Sequence, residues 1–438
     1  MRKPVAEISL TESANSLESA RNDKGHPVPF VNPMGMDPQS EGYRFTLQTI
    51  RDLREVEDLR EVWKPWQKTR DSDLDFFSGI VRSQGENCRP HVIVLTRNAR
   101  PDALLVGLRY RTKIPLRLCS VAMPQPEINV LEFVYGGLLG NATQENCAVL
   151  VQGVMQSLAE GEADVALWEQ LDVHSALYTC ALQLPSLVLR DHSRCLRDHW
   201  FMSFPRDLDA FLSSLGRSQR SKLRRKYKRV LNCFPGRVQV RSFRTIADLE
   251  QAISDMERIA RTSVKHQLGL GFLDTLQTRE QLRVEAVRGW LRIYILYVEE
   301  EPVSFWQGTL YEGCLQADHV GFDAAWVAFS PGIVLFLNIL ENLRDADVNT
   351  VDLGCGNSQF YQCFGTERRP EARVQICAPK LNALQLNLLH TLTHHATILI
   401  RGAHCLNWAR KTVRKRRQIR ALLSKAGDQK RHLSDRQP

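Results

Sequence analysis

At 438 residues and 43% hydrophobic, the chain is too long for one ordinary core, and two domains of about 150–190 residues are expected. It shows neither an apolar run near the roughly 18 residues of a membrane span nor a signal-peptide pattern. Its 11 cysteines contain no C-x-x-C pair; a disulfide framework and a zinc module are therefore not expected, and a cytoplasmic protein is. The net charge of +9 is concentrated at the end, where residues 401–438 hold 12 Lys and Arg against 2 acids. The body is therefore nearly neutral and nothing steers it toward DNA.

Residues 1–40 mix Ser, Asn, Pro, Gly and charges without a period and read as a disordered leader. Leu53, Val56, Leu59, Val62, Trp63 and Trp66 fall at helical spacing within 46–70 and predict an amphipathic helix. Ser72 or Asp73 is placed to cap a second helix. His91–Thr96 and Ala103–Tyr110 read as a strand pair, followed by strands at Leu116–Val121 and Val130–Tyr135, the last stopped by Gly136-Gly137. Asn146–Leu158 is expected as helix and Ala163–Trp168 as strand. Residues 170–200 read as a helix and connector, with a hinge near Arg197–Pro205. His174, His192 and His199 lie 18 and 7 residues apart, which fits no helical or hairpin ligand pattern, so no metal is expected.

Pro205–Leu231 reads as one long helix or a helix pair, with eight Lys or Arg and no acid within Arg217–Arg229. This is either a solvated basic face or a phosphate-contacting arm in which Arg225 would take part. A strand at Val238–Phe243 and a helix at Ile246–Thr262 lead to a Gly-rich turn carrying Lys265 and His266, and Glu280–Gly289 is helical. Three apolar runs, Leu291–Val298, Val303–Tyr311 and Cys314–Phe322, are separated by the short turns EEEP and YEG and predict an antiparallel meander.

After Phe329 comes Ser330-Pro331-Gly332. Ser330 can cap a helix starting at Pro331, and Gly332 leaves the first-turn N–H groups open to an anion. Ile333–Leu343 continues that helix, Thr350–Leu353 is a short strand, and a Gly-flanked turn carries Asn357 and Tyr361. Ala372–Ala378 is a final strand and Leu381–Leu392 a helix. The tail from Asn407 reads as a basic helix able to lie on an anionic membrane face or bind an acidic partner.

Several stretches together resemble the double-GNAT, FemAB-like acyltransferases, including the CelD-type acetyltransferases of cellulose biosynthesis. They are LRRKYKRV at 223–230, ARTSVKHQLGLGF at 260–272, WLRIYILYVEEEPVSFWQG at 290–308, GFDAAWVAFSPG at 321–332 and VDLGCGNSQFYQCFG at 351–365. A weaker likeness extends back through HVIVLTRNARPDALLVGL at 91–108 and EFVYGGLLG at 132–140. Gln362 departs from the lysine the family tends to carry there. The resemblance implies an α+β fold of two tandem GNAT-like domains, each a mostly antiparallel mixed sheet flanked by helices. The expected division is a leader at 1–40, a degenerate domain at 41–197, the acyltransferase domain at 198–392 and a basic tail at 393–438.

The resemblance also implies an acyl-CoA co-substrate and an N- or O-acyl transfer to a sugar, glycan or small amine, in polysaccharide biosynthesis or elsewhere. Val320, Gly321, Phe322, Phe329, Ser330, Pro331, Gly332, Ile333 and Asn357 would hold the coenzyme. Tyr361 is the candidate acid, Asp318, His319 and Asp352 the candidate bases, and Arg225, Lys265, His266 and Trp306 the acceptor-side residues. Three other readings compete. FemAB-type relatives take amino acids from aminoacyl-tRNA, and the Arg217–Arg229 arm could grip RNA. VDLGCG also looks like the first glycine loop of an adenosylmethionine-dependent methyltransferase, although an antiparallel meander precedes it. A non-catalytic assembly factor for polysaccharide export is the third.

Overall fold

In the computed structural model the chain is described over residues 7–8, 45–113, 117–118, 121–122, 127–192, 195–204, 208–263, 266, 271–343, 348–356, 359–393 and 395–396. Lys265, Asn357, the leader up to residue 6 and at 9–40, and the tail from 397 lie outside these. The β-branched and aromatic runs form β1 (Phe45–Ile50), β2 (Cys88–Arg97), β3 (Arg100–Lys113), β4 (Glu127–Gly140) and β5 (Val165–Asp172) in the first half. β6 (Cys195–Ser203) follows, and then β7 (Val238–Phe243), β8 (Leu291–Val298), β9 (Glu301–Tyr311), β10 (Cys314–Phe322), β11 (Thr350–Cys355) and β12 (Glu367–Cys377). The main helices are α1 (Leu74–Gln84), α2 (Gln144–Ala159), α3 (Ala176–Gln183), α4 (Arg217–Cys233), α5 (Leu249–Ala260), α6 (Leu276–Val287), α7 (Pro331–Asn342) and α8 (Gln359–Phe364).

One 13-stranded mixed sheet runs through both halves in the order β1-β2-β3-β4-β5-β12-β6-β11-β10-β9-β8-β7, with the two-residue strand Glu7–Ile8 beside β1. β1 to β4 are antiparallel neighbours, as are β7 to β10. Each half then makes one parallel pairing, β4 with β5 and β10 with β11. The middle is an exchange. β6, which follows the first half in sequence, pairs with β11 of the second half. β12, which follows the second half, pairs with β5 of the first. β6 and β12 pair with each other. The segment expected as a hinge is thus a central strand, because its polar residues find partners across the sheet.

Two more expectations change. Residues 45–50 are a strand where a helix was expected, and the helical spacing is served by two short helices, Leu53–Glu57 and Arg60–Trp63. Gly136-Gly137 does not stop β4; the strand bulges there, with Gly136 at φ 67°, and runs on to Gly140. Asp73 does cap α1, accepting from the Phe76 N–H at 2.9 Å. The first-half core is built on α2 and β4–β5, and the second on α7, β9 and β11.

Candidate acyl-transfer site

The meander appears as expected, but what it does at its end decides the site. β10 and β11 are in parallel register only over Cys314–Gln316 and Thr350–Asp352. A bulge on β10 then leaves Asp318 without a partner on β9, since Gln307 opposes His319 and Gly308 opposes Ala317. On β11 the register shifts between Asp352 and Gly354, whose φ is 81°, and the strand continues against β6. Bulges bend the strand that carries them, so two of them on adjacent strands open a wedge. Val320 and Phe322, on the open part of β10, are 52% and 42% exposed.

The tip of α7 sits over the open end of β10. A Cβ built on Gly332 would meet nothing nearer than Ser304 Oγ at 4.0 Å, and that hydroxyl donates to the Gly321 carbonyl at 2.9 Å. Ser330 is not the cap its sequence suggested. Its backbone is left-handed (φ 53°, ψ 53°) because it also ends the 3-10 turn Ala324–Phe329, and its side chain makes no capping hydrogen bond. The Ser330 N–H donates to Val327 O and the Ile333 N–H to Ser330 O, whereas among the described residues no turn carbonyl takes the Gly332 N–H. Pro331 has none to offer. The first turn holds no acidic residue, so the positive end of the helix dipole is left unneutralised.

The basic helix approaches the same place. Arg229 of α4 donates to Ala328 O at 3.2 Å and lies over the Phe329 ring, 5.1 Å from its centre. Phe329, Trp326 and Phe234 pack on one another and fix that contact. Arg225 is exposed farther back on α4. Arg229 was not among the expected site residues; it is part of the same cationic run.

Tyr361 is on α8, with its ring against the Gly356 backbone at the end of β11. Burial pushes its phenol above the ordinary value, as does the charge of Cys355, so at neutral pH it keeps a proton to give. Of the three candidate bases, two are engaged. Asp318 receives Arg70 Nη1 at 2.6 Å and Thr309 Oγ1 at 3.2 Å in a buried cluster with Glu285. Asp352 accepts from the Gly354 N–H at 2.8 Å and lies 2.6 Å from His199 Nε2. His319 has neither an ion pair nor a hydrogen bond among the described residues. Burial holds its pKa below the ordinary value, partly opposed by Asp318, so it stays a neutral imidazole, 5.8 Å from the Phe272 ring.

The remaining expected residues divide. Val320, Gly321, Phe322, Phe329, Ser330, Pro331, Gly332 and Ile333 are together at the wedge and helix tip. His266 is half-buried on the α5 side, 3.0 Å from Glu257 Oε1. Trp306 is a core residue rather than an acceptor wall, 2% exposed beneath α7 and beside Tyr294.

Sequence reasoning also missed the polar group at the seam. His199 is buried with Nε2 toward Asp352 and Nδ1 2.8 Å from Glu371 Oε2. Burial works against a charged ring there, but hydrogen bonds with Asp352, Cys355 and Glu371 outweigh it and carry the pKa up to about 12. No periodicity signals this group, because its members come from three strands distant in sequence.

Residues 217–362 match the family model described as acetyltransferase (GNAT) domain. They contain α4, the meander, α7, β11 and Tyr361, so the GNAT-type match falls on the stretch that builds the candidate site. No curated protein matches the sequence. Among solved structures, FemX aligns at a TM-score of 0.50 and 10% identity, over 78% of this chain and 99% of its own. A tandem GNAT protein from the clavulanic acid biosynthesis pathway aligns at 0.46 and 9%, over 76% and 99%. The C-terminal domain of a putative lysylphosphatidylglycerol synthetase from Agrobacterium fabrum aligns at 0.45 and 14%, over 77% and 96%. The likeness to FemX concerns the fold. Among the described residues no helix is long and apolar enough to cross a membrane.

Proposed function

We propose that the chain transfers an acyl group from an acyl-CoA thioester to the nitrogen or oxygen of a small-molecule or glycan acceptor. The observation that carries this reading is the wedge between β10 and β11 with the α7 tip at its open end. Backbone groups on the open edge of β10, over Val320, Gly321 and Phe322, would pair with the pantetheine arm as an added strand does. The Gly332 N–H, the helix dipole and Arg229 would hold the pyrophosphate, joined by Ser330 and Ile333 if their turn bonds yield.

The acceptor N–H or O–H gives its proton to His319 as it attacks the thioester carbonyl. The C–S bond breaks, and the departing thiolate takes a proton from Tyr361. Asp318 and Asp352, already engaged, shape the slot without accepting that proton. Polysaccharide precursors and cytoplasmic amines both fit the acceptor class, and the basic tail gives a cytoplasmic chain a means of resting on an anionic membrane face.

The test is calorimetric titration with acetyl-CoA of the wild type and of Gly332→Glu. The space around Gly332 admits the side chain, so the variant should fold and bind at least about 10-fold more weakly through charge repulsion at the helix end. Equal binding would remove the proposed pyrophosphate seat. A second reading, transfer from aminoacyl-tRNA, is favoured by the exposed Arg217, Lys222, Arg225 and Lys228 of α4. It would displace the first if activity fell on RNase treatment and tRNA binding weakened steeply with salt.

A further inference from the structure

Where the exchanged strands meet, the fold assembles side chains that acyl transfer does not use. His199 on β6, Cys355 at the end of β11 and Glu371 on β12 each present one donor atom, and the three atoms lie within 4.8 Å of one another. Glu371 Oε2 is 2.8 Å from His199 Nδ1 and 3.9 Å from Cys355 Sγ. His199 and Glu371 are 2% and 3% exposed. From the other side Asp352 Oδ1 holds His199 Nε2 at 2.6 Å.

We propose that His199 Nδ1, Cys355 Sγ and Glu371 Oε2 form a binding site for a divalent transition-metal ion of the zinc class, with Asp352 orienting the histidine. The donor set argues for the class: imidazole, thiolate and carboxylate suit zinc, whereas calcium and magnesium take oxygen ligands alone. Metal–ligand bonds of about 2.0–2.3 Å in a tetrahedron set donor separations of roughly 3.3–3.8 Å. Two of the separations bracket that range and the third is within 4.8 Å, so side-chain adjustments of up to about 1 Å complete the site. A carboxylate on the second ring nitrogen is the arrangement that fixes the tautomer and aim of a metal-bound histidine.

The surroundings point the same way: two buried acids, Asp352 and Glu371, flank His199, and among the described residues neither has a Lys or Arg ion pair. Nearby Arg369 is turned away, paired with Glu367 and lying over the Phe201 ring. Metal ligands bind through deprotonated atoms, so uptake of the ion releases protons. A metal there would tie β6, β11 and β12 together at the seam. The site stands independently of the acyl donor.

The experiment uses the full chain, stripped with a chelator and titrated with Co²⁺ as the probe. One equivalent should bind with a thiolate-to-cobalt charge-transfer band, excess Zn²⁺ should bleach it, and Zn²⁺ binding should release protons. Cys355→Ser should abolish the band, and Asp352→Asn should keep it while weakening Zn²⁺ affinity about 10- to 100-fold. A wild type that takes up no cobalt, or binds it without the band, overturns the site whether or not the variants fold. So does an unchanged band in Cys355→Ser. Unchanged affinity in Asp352→Asn overturns the orienting role.

Discussion

The two halves carry the same parts and use them differently. In the first half β4 and β5 are parallel over Val130–Phe133 and Val165–Trp168, and the strand beyond is covered by the protein itself. Thr69 Oγ1 donates to Tyr135 O at 2.9 Å and fills the space where a Cβ on Gly136 would stand, while Trp66 closes on Gly140. The helix after that strand is neutralised too: Thr143 caps α2 by accepting from the Asn146 N–H, and Glu145 sits in its first turn. The second half leaves the edge of β10 open and gives α7 neither cap nor acid. Even the tyrosines correspond. Tyr178 is the third residue of α3 as Tyr361 is of α8, and each packs against the core of its own half. The open slot differs from its closed counterpart by what is withheld from it.

The closed half still serves the open one. Arg70, next to the Thr69 plug, crosses to Asp318 and Glu285. Removing one member of such a buried group leaves charge uncompensated, so Arg70→Ala should cost about 3–5 kcal/mol, read as a lower denaturation midpoint. A loss under about 1 kcal/mol would mean the halves are coupled elsewhere. Next in size, Tyr361→Phe should lower kcat about 100-fold or more with acetyl-CoA affinity unchanged, whereas Tyr178→Phe should leave kcat alone. Similar effects of the two would erase the distinction between the halves.

A third expectation concerns pH. Burial, aided by Asp318 and opposed by Arg70, pushes Glu285 up to about 7 from an ordinary 4.5. Its proton is held more tightly in the folded chain, so its stabilising contribution is complete below about 4.5 and is lost as pH rises through about 7. Denaturation midpoints compared at pH 5 and pH 8 should fall more in the wild type than in Glu285→Gln. Smallest, Thr143→Ala should cost about 1 kcal/mol by uncapping α2. Calorimetry should still count one acetyl-CoA per chain, since the wedge beside α2 remains filled.

How much of this the sequence revealed follows from how local each signal is. Leu291–Val298 and Cys314–Phe322 were bounded residue for residue, because turns and β-branched runs act over a few positions. Ser330-Pro331-Gly332 marked the helix start for the same reason, though the left-handed Ser330 backbone depends on the preceding turn. β6 lies where a connector and a hinge are expected, and it carries Arg197, Asp198 and His199. Their partners, Asp352 and Glu371 for His199 and Arg368 for Asp198, arrive from more than 150 residues away. The histidine spacing argument failed to find that group for a related reason: it compared histidines with one another, not with what other strands bring.

The exchange of β6 and β12 also bears on anyone who would shorten the chain. The stretch at 217–362 that matches the acetyltransferase domain contains neither strand. Excised alone, it would present the unpaired backbone of β11 to solvent and join like edges of its neighbours. The matched stretch is one contiguous third of the polypeptide, but its sheet is completed only by strands from outside it.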